Sequence, residues 1–376
     1  MATSRRLIHQ TLFLLLPFLL AGCVSIIEFE GSDKNRELVI YGKLTNSQAY
    51  DQGITVKWSD LNTSADLAIE DASVVVLDEN DQQYPYAFSA ESGKYLPVNS
   101  FIGVPGTTYR ARITVNDQIY QSSPQRMPTV GTQDTAYYRV EKELLITDTG
   151  AELDQYRVKI LTDSRLDASD EDIFMRWDVE QVFILAEVTL PVSKFPFFSP
   201  SVCYIHEGYA NEDMNLFNGE RINKTFLQEQ ELANVLMDNN FINIRGYGII
   251  QSSITREAMI YWEKVNQVAI RDGSIFEVPP APVPGNFSNL SDPDQVPLGF
   301  FEVTKVDTTG TYVLQGDLPI RFGRSREVPN CSFPIGLLLT VPYGCFSCLA
   351  DLGVPDYCLN CSLVPNSTRI RPSYLF

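Results

Sequence analysis

From Glu37 onward, apolar and polar residues alternate in short runs separated by turn residues. Leu38-Val-Ile-Tyr-Gly-Lys-Leu44 is the first run. Ile54-Thr-Val-Lys-Trp58 alternates with period two, the repeat that puts successive side chains on opposite faces of a strand. Ala72–Leu77 leads through Asp78-Glu-Asn-Asp81 into Tyr84–Phe88, and Ser92-Gly93 turns into Lys94–Pro97. Val104-Pro-Gly106 precedes Thr108–Val115, and Asn116-Asp117 closes a hairpin onto Gln118–Gln121. About seven short strands at this spacing predict an immunoglobulin-like or fibronectin-like β-sandwich over residues 37–130. Pro124 and Pro128 mark its end.

Residues 131–376 predict a second β-rich domain carrying one amphipathic helix, so the fold class is mainly β. Three longer strands are expected over Ala136–Ile146, Gln155–Thr162 and Ile173–Thr189, and Phe226–Met237 is expected as a short helix. The amphipathic helix lies near 255–272. Thr255 caps it, Glu257 sits in the first turn where the dipole favours an acid, and Gly273 stops it. Its stripe of Ala258, Tyr261, Trp262, Val265, Val268 and Ala269 is expected to pack on the second sheet, the alternative being a partner-binding helix. Pro279 to Gly299 reads as loop, and strands resume at Gly299–Val303 and Tyr312–Leu314.

The N-terminus breaks the strand pattern. Arg5 and Arg6 precede the apolar run Leu12–Leu20, followed by small residues, as in a secretory signal over residues 1–22. The run is shorter than the roughly 18–20 residues that span a bilayer. Leu20-Ala21-Gly22-Cys23 resembles the lipobox of bacterial lipoproteins, in which the cysteine is diacylated on sulfur, the signal is cleaved before it and the new amine is acylated. Several acyl chains at about 0.8 kcal/mol per buried CH₂ make a stable anchor where one chain does not. Residues 23–36 then form a polar tether. Val24 stands where an inner-membrane retention aspartate would lie, so the expected location is the outer membrane, on its periplasmic or extracellular face. Seven Asn-x-Ser/Thr triplets, Asn62 and Asn223 among them, read as loop residues at that address rather than as glycan sites.

Charge narrows the partners. Residues 23–376 hold 27 basic and 47 acidic side chains, a balance of −20. That excludes a phosphate-neutralising nucleic-acid surface and charge-driven docking on anionic lipid. Only His9 and His206 are present, which removes most histidine-based catalysis and metal binding. The acidic clusters Asp167–Asp172, Glu212-Asp213 and Asp292-Pro-Asp294 lack the spacing of a calcium loop. No nucleophile elbow, zinc-protease motif or phosphate loop occurs, so no catalytic residue, metal or cofactor is expected.

The order of these features resembles the domain-of-unknown-function family 4249, lipoproteins of Bacteroidota. The similarity rests on Glu37–Asn46, Ala72-Ser-Val-Val-Val, Gly103–Tyr109, Met175-Arg-Trp-Asp178, Cys203-Tyr204, Ser253–Val265, Gly273–Phe276, Gly285-Asn286 and Leu298-Gly-Phe-Phe301. At the C-terminus, Cys358-Leu-Asn-Cys361 and Arg371–Phe376 are similar to the family's Cys-x-x-Cys and proline-aromatic tail, whereas Cys345-Phe-Ser-Cys348 has no place in the family pattern. The resemblance implies a sandwich followed by a β-rich domain, and a TonB-dependent outer-membrane transporter as partner. It brings no catalytic residues.

With Cys23 lipidated, Cys203, Cys331, Cys345, Cys348, Cys358 and Cys361 remain. An even number in an oxidising compartment points to disulfides, with fifteen pairings open. The rival is zinc on the two Cys-x-x-Cys knuckles, although their separation is shorter than the roughly 15–20 residues common in zinc ribbons. Neither knuckle sits in a thioredoxin-like βαβ pattern. The expected function is an accessory protein contacting a transporter, with Phe276 through Gly285 to Phe301 as the apolar centre of the contact. The alternatives are a stand-alone binder of glycan or peptide, using Trp58, Trp177 and Trp262 or tyrosines as stacking platforms, and a hydrolase whose carboxylates meet only in the fold.

Overall fold

The computed structural model describes residues 36–375, apart from 49–51, 61–65, 147–148, 167–171, 209–213, 221–225, 270–282, 323–328 and 334. The signal sequence, Cys23, most of the tether, Phe276 and the acidic stretches 167–171 and 212–213 therefore lie outside the described residues.

The first strands are β1 (Arg36–Thr45), β2 (Ile54–Asp60), β3 (Asp66–Ala68), β4 (Ser73–Asp78), β5 (Gln83–Ser89), β6 (Lys94–Pro97), β7 (Thr108–Val115), β8 (Gln118–Ser122) and β9 (Gln125–Arg126). The alternation translates directly into burial. On β1, Leu38, Ile40 and Leu44 point inward and meet Val74 and Val76 of β4 and Ala111 and Ile113 of β7. Asn116 and Asp117 both take positive φ in the β7–β8 turn, the conformation that a two-residue hairpin turn requires.

The second half contains β10 (Thr132–Ile146), β11 (Glu152–Leu166), β12 (Phe174–Ala186), β13 (Val202–Gly208), β14 (Asn215–Asn218), β15 (Phe226–Leu236) and β16 (Ile244–Ile254). Helix α1 (Arg256–Ala269), β17 (Phe287–Asn289), β18 (Phe301–Val313) and β19 (Ser367–Thr368) follow. The two halves share one sheet. β18 pairs with β16 and also, in parallel, with β1, while β17 adds to β8. Phe287, Phe301 and Val303 consequently complete the sandwich core from far along the chain.

Two glycines permit that crossing. A Cβ on Gly299 would lie 2.1 Å from the Ile40 carbonyl oxygen, and one on Gly285 would lie 1.7 Å from that of Gly299. Gly299 also has φ +100°, a region that side chains rarely adopt.

β10, β11 and β15 form a separate antiparallel sheet. It packs on the β12–β16–β18 face through Val158, Ile160, Trp177, Leu232, Tyr247 and Ile249. β15 corrects the expected helix over Phe226–Met237. Its Glu and Gln residues favour a helix, but pairing with β11 decides the outcome. Register shifts beside Thr162 and a positive φ at Glu229 break the alternation, so the strand's period is hidden in the sequence. The two short strands expected around 300 and 312 are one continuous β18.

Candidate functional site

Thr255 caps α1: its Oγ1 accepts the Ala258 backbone N–H at 3.2 Å. The Thr255 hydroxyl also donates to Gln125 Oε1 at 2.7 Å, and Gln125 Nε2 donates to Glu257 at 2.5 Å. These bonds join the end of the sandwich to the start of α1 beside a cleft of about 300 Å³. Met127, Phe174, Ile254 and Arg256 also line it.

About two turns beyond Thr255, α1 lays Trp262 over a buried charge. Arg176 on β12 and Glu302 on β18 pair at 3.0 Å, and Glu302 is fully buried. Arg176 also reaches Asp178 at 3.4 Å. The Trp262 ring covers the guanidinium at 4.5 Å, and its indole N–H donates to Glu302. Burial alone would weaken the Arg176 charge, but Glu302 and Asp178 hold it protonated above the ordinary guanidinium range. Tyr41 stands edge-on to Trp262 at 5.9 Å. Burial first, and the Glu302 charge second, push its hydroxyl pKa well above the usual tyrosine value. Arg176 Nε and Glu302 Oε1 find no hydrogen-bond partner among the described residues.

The sequence offers Trp262 as part of an apolar stripe or as a stacking platform and assigns no role to Arg176 or Glu302. The signal was present as an arginine inside an otherwise apolar strand, Ile173-Phe-Met-Arg-Trp, since a buried charge requires a partner. What it lacked was that partner's position, 126 residues away.

The other buried carboxylates hold structure. Glu187 accepts from the backbone N–H groups of Ser201 at 2.8 Å and Cys361 at 3.0 Å, and from Arg369 at 3.2 Å. Asp78 closes the β4–β5 turn through Asn80, Gln82 and Tyr84. Trp177 is buried and donates to Asp134 at 3.0 Å, and Trp58 packs against the sandwich core. The three tryptophans therefore form no shared shelf.

The six cysteines form three disulfides: Cys203–Cys361, Cys331–Cys358 and Cys345–Cys348. Every knuckle sulfur is consumed, and Cys358 and Cys361 bond to different partners, so the zinc alternative falls away. The pairs at Cys203 and Cys331 lie in an apolar cluster with Phe183, Leu185, Leu338 and Leu349. Within the expected contact segment, Phe287, Phe300 and Phe301 are buried, with Tyr261 stacked on Phe300, whereas Leu290 and Val296 are exposed and residues 276–282 lie outside the described residues.

The Arg176 strand, the Trp262 helix and the Phe301 strand are three separate landmarks of one sequence pattern, and they converge on one ion pair. The profile of the family described as Domain of unknown function (DUF4249) matches residues 24–310, most of the chain. The chain belongs to the DUF4249 family. No curated protein and no solved structure matches it. The DUF4249 match includes Arg176, Trp262 and Glu302 but stops before the cysteine-rich segment that begins at Cys331.

Proposed function

We propose that this DUF4249 protein is a lipid-anchored outer-membrane accessory protein that acts by contact, and that its partner is a TonB-dependent transporter. Support for the anchor comes from the basic, apolar and small-residue succession ending at Cys23. The contact reading is carried by the end of the β10–β11 hairpin. Ala136, Tyr138 and Val140 pack inward, but Leu144 and Ile146, next on the same face, are exposed. Leu145 and Leu153, paired on the opposite face, are exposed too. The hairpin thus runs past the core with an aliphatic tip on both faces, behind an ionic collar that includes Lys142–Asp154 at 2.8 Å. An apolar centre with a charged rim is the pattern of a specific protein contact.

The test is affinity purification of the tagged full chain from mildly solubilised outer membranes. A transporter barrel is expected to copurify. Recovery of the chain alone, under conditions that preserve other transporter complexes, points instead to a stand-alone binder of glycan or peptide.

A further inference from the structure

We propose that Cys345–Cys348 is a thiol–disulfide exchange site whose substrate is a dithiol on an extended or unfolded polypeptide. The three disulfides differ in what they hold. Cys203–Cys361 spans 158 residues and ties β13 to the C-terminal segment, and Cys331–Cys358 spans 27. All four of those cysteines are buried. Cys345–Cys348 spans three residues and is partly exposed. A bond that closes so short a loop constrains the unfolded chain least.

Other bonds already hold its segment. The Gly344 backbone N–H donates to the Lys194 carbonyl at 2.9 Å, Cys345 to Pro342 at 3.2 Å and Leu349 to Phe346 at 3.1 Å. Val341 and Leu349 anchor it in the apolar cluster below. Opening the disulfide therefore leaves the backbone in place. The pair is also flanked by exposed aromatic surface: Tyr343 is 67 % exposed, and Phe346, between the two cysteines, is 45 % exposed while resting on Phe195 at 4.9 Å. An apolar rim beside an accessible disulfide is what a cysteine in an unfolded segment needs in order to dock. This inference does not depend on the transporter reading.

In the reaction, one substrate thiolate attacks Cys348 Sγ and forms a mixed disulfide. The Cys345–Cys348 bond breaks, and its electron pair leaves on Cys345 as a thiolate. Ser347 Oγ lies 3.6 Å from that sulfur, in reach to hydrogen-bond it. The second substrate thiolate then attacks the substrate sulfur of the mixed disulfide and releases Cys348. The substrate departs as a disulfide, the chain keeps two thiols, and two electrons and two protons have moved.

The test uses the oxidised full chain in detergent, graded dithiothreitol, alkylation and peptide mass mapping. Cys345 and Cys348 are expected to be alkylated at about tenfold lower dithiothreitol than the other four, with an unchanged circular dichroism spectrum. The oxidised chain should also convert about one equivalent of an unfolded two-cysteine peptide to its disulfide, and C345S/C348S should convert none. Reduction of all three disulfides together with unfolding overturns the proposal. So does a peptide left reduced by the wild-type chain, or equal oxidation by C345S/C348S.

Discussion

Trp262 donates its indole N–H to the same Glu302 carboxylate oxygen that Arg176 grips at 3.0 Å, so one buried acid fixes helix α1 to strands β12 and β18. Removing Glu302 leaves the buried Arg176 charge with only the longer contact to half-exposed Asp178, and such a loss costs far more than the pair itself contributes. Glu302→Ala is therefore expected to lower unfolding free energy by about 3–5 kcal/mol in urea titration. The double change Arg176→Met with Glu302→Leu should recover much of that loss, because it removes both charges and keeps apolar volume. A double variant as unstable as Glu302→Ala would show that the cost lies in lost packing.

Tyr86 gives the cleanest pH dependence. Burial alone raises its hydroxyl pKa, and the hydroxyl finds no hydrogen-bond partner among the described residues. The native state then keeps its proton at a pH where the unfolded chain, titrating near 10, has released it. Its contribution is complete below about pH 10 and is lost as pH rises above that value. Tyr86→Phe should flatten the alkaline limb of the stability profile. At neutral pH it should be neutral or stabilising by up to about 1 kcal/mol, since it deletes an unsatisfied buried group. Thermal melts of both proteins from pH 7 to 11 check the sign.

Much of the sandwich was legible because β1, β2, β4 and β7 bury alternate residues, and period two survives in the sequence. β15 was not, because its bulges shift the buried face mid-strand. The continuity of the sheet was also hidden: parallel pairing of β1 with β18 joins residues more than 250 apart, and no local pattern reports a long-range partner. The cysteine segment was half legible. The even count and the expected compartment pointed to disulfides, but the pairing depends on which side chains the Phe183–Leu349 cluster brings together.

Gly299 offers a test of that parallel crossing. An added methyl group would meet the Ile40 carbonyl, in a backbone conformation unfavourable to side chains. Gly299→Ala should cost about 2 kcal/mol or more, through strain and clash together. Gly93→Ala is a useful contrast: φ is also positive there, but nothing lies within 4 Å of the added atom. It should cost only the conformational part, about 1 kcal/mol. Equal losses in the two variants would remove the close approach at Ile40 as a cause.

The two long-range disulfides should differ from the short one in stability. Cys203→Ala with Cys361→Ala is expected to lower unfolding free energy by about 2–5 kcal/mol, mostly by releasing the unfolded chain. Cys345→Ala with Cys348→Ala should cost clearly less. Denaturant titrations of the oxidised proteins measure both, and the reverse order would mean that the short loop carries the segment.

The last expectation separates the hairpin tip from the fold that supports it. Leu145 and Ile146 lie beyond the point where β10 and β11 touch the core, and both are exposed. Placing a charge there removes no buried contact within the chain, so Leu145→Asp with Ile146→Asp should leave the melting temperature nearly unchanged. At a partner's apolar surface the same two carboxylates must be desolvated without compensation, and truncation alone at a contact centre costs about 2 kcal/mol or more. Recovery of the proposed transporter partner with the tagged variant should therefore fall at least about tenfold, a factor that corresponds to roughly 1.4 kcal/mol. Changing Val192 and Phe197 to Asp, at exposed sites on another segment, serves as the control and should leave recovery intact. Loss of the partner in the control but not in the hairpin variant would move the contact surface away from the β10–β11 tip.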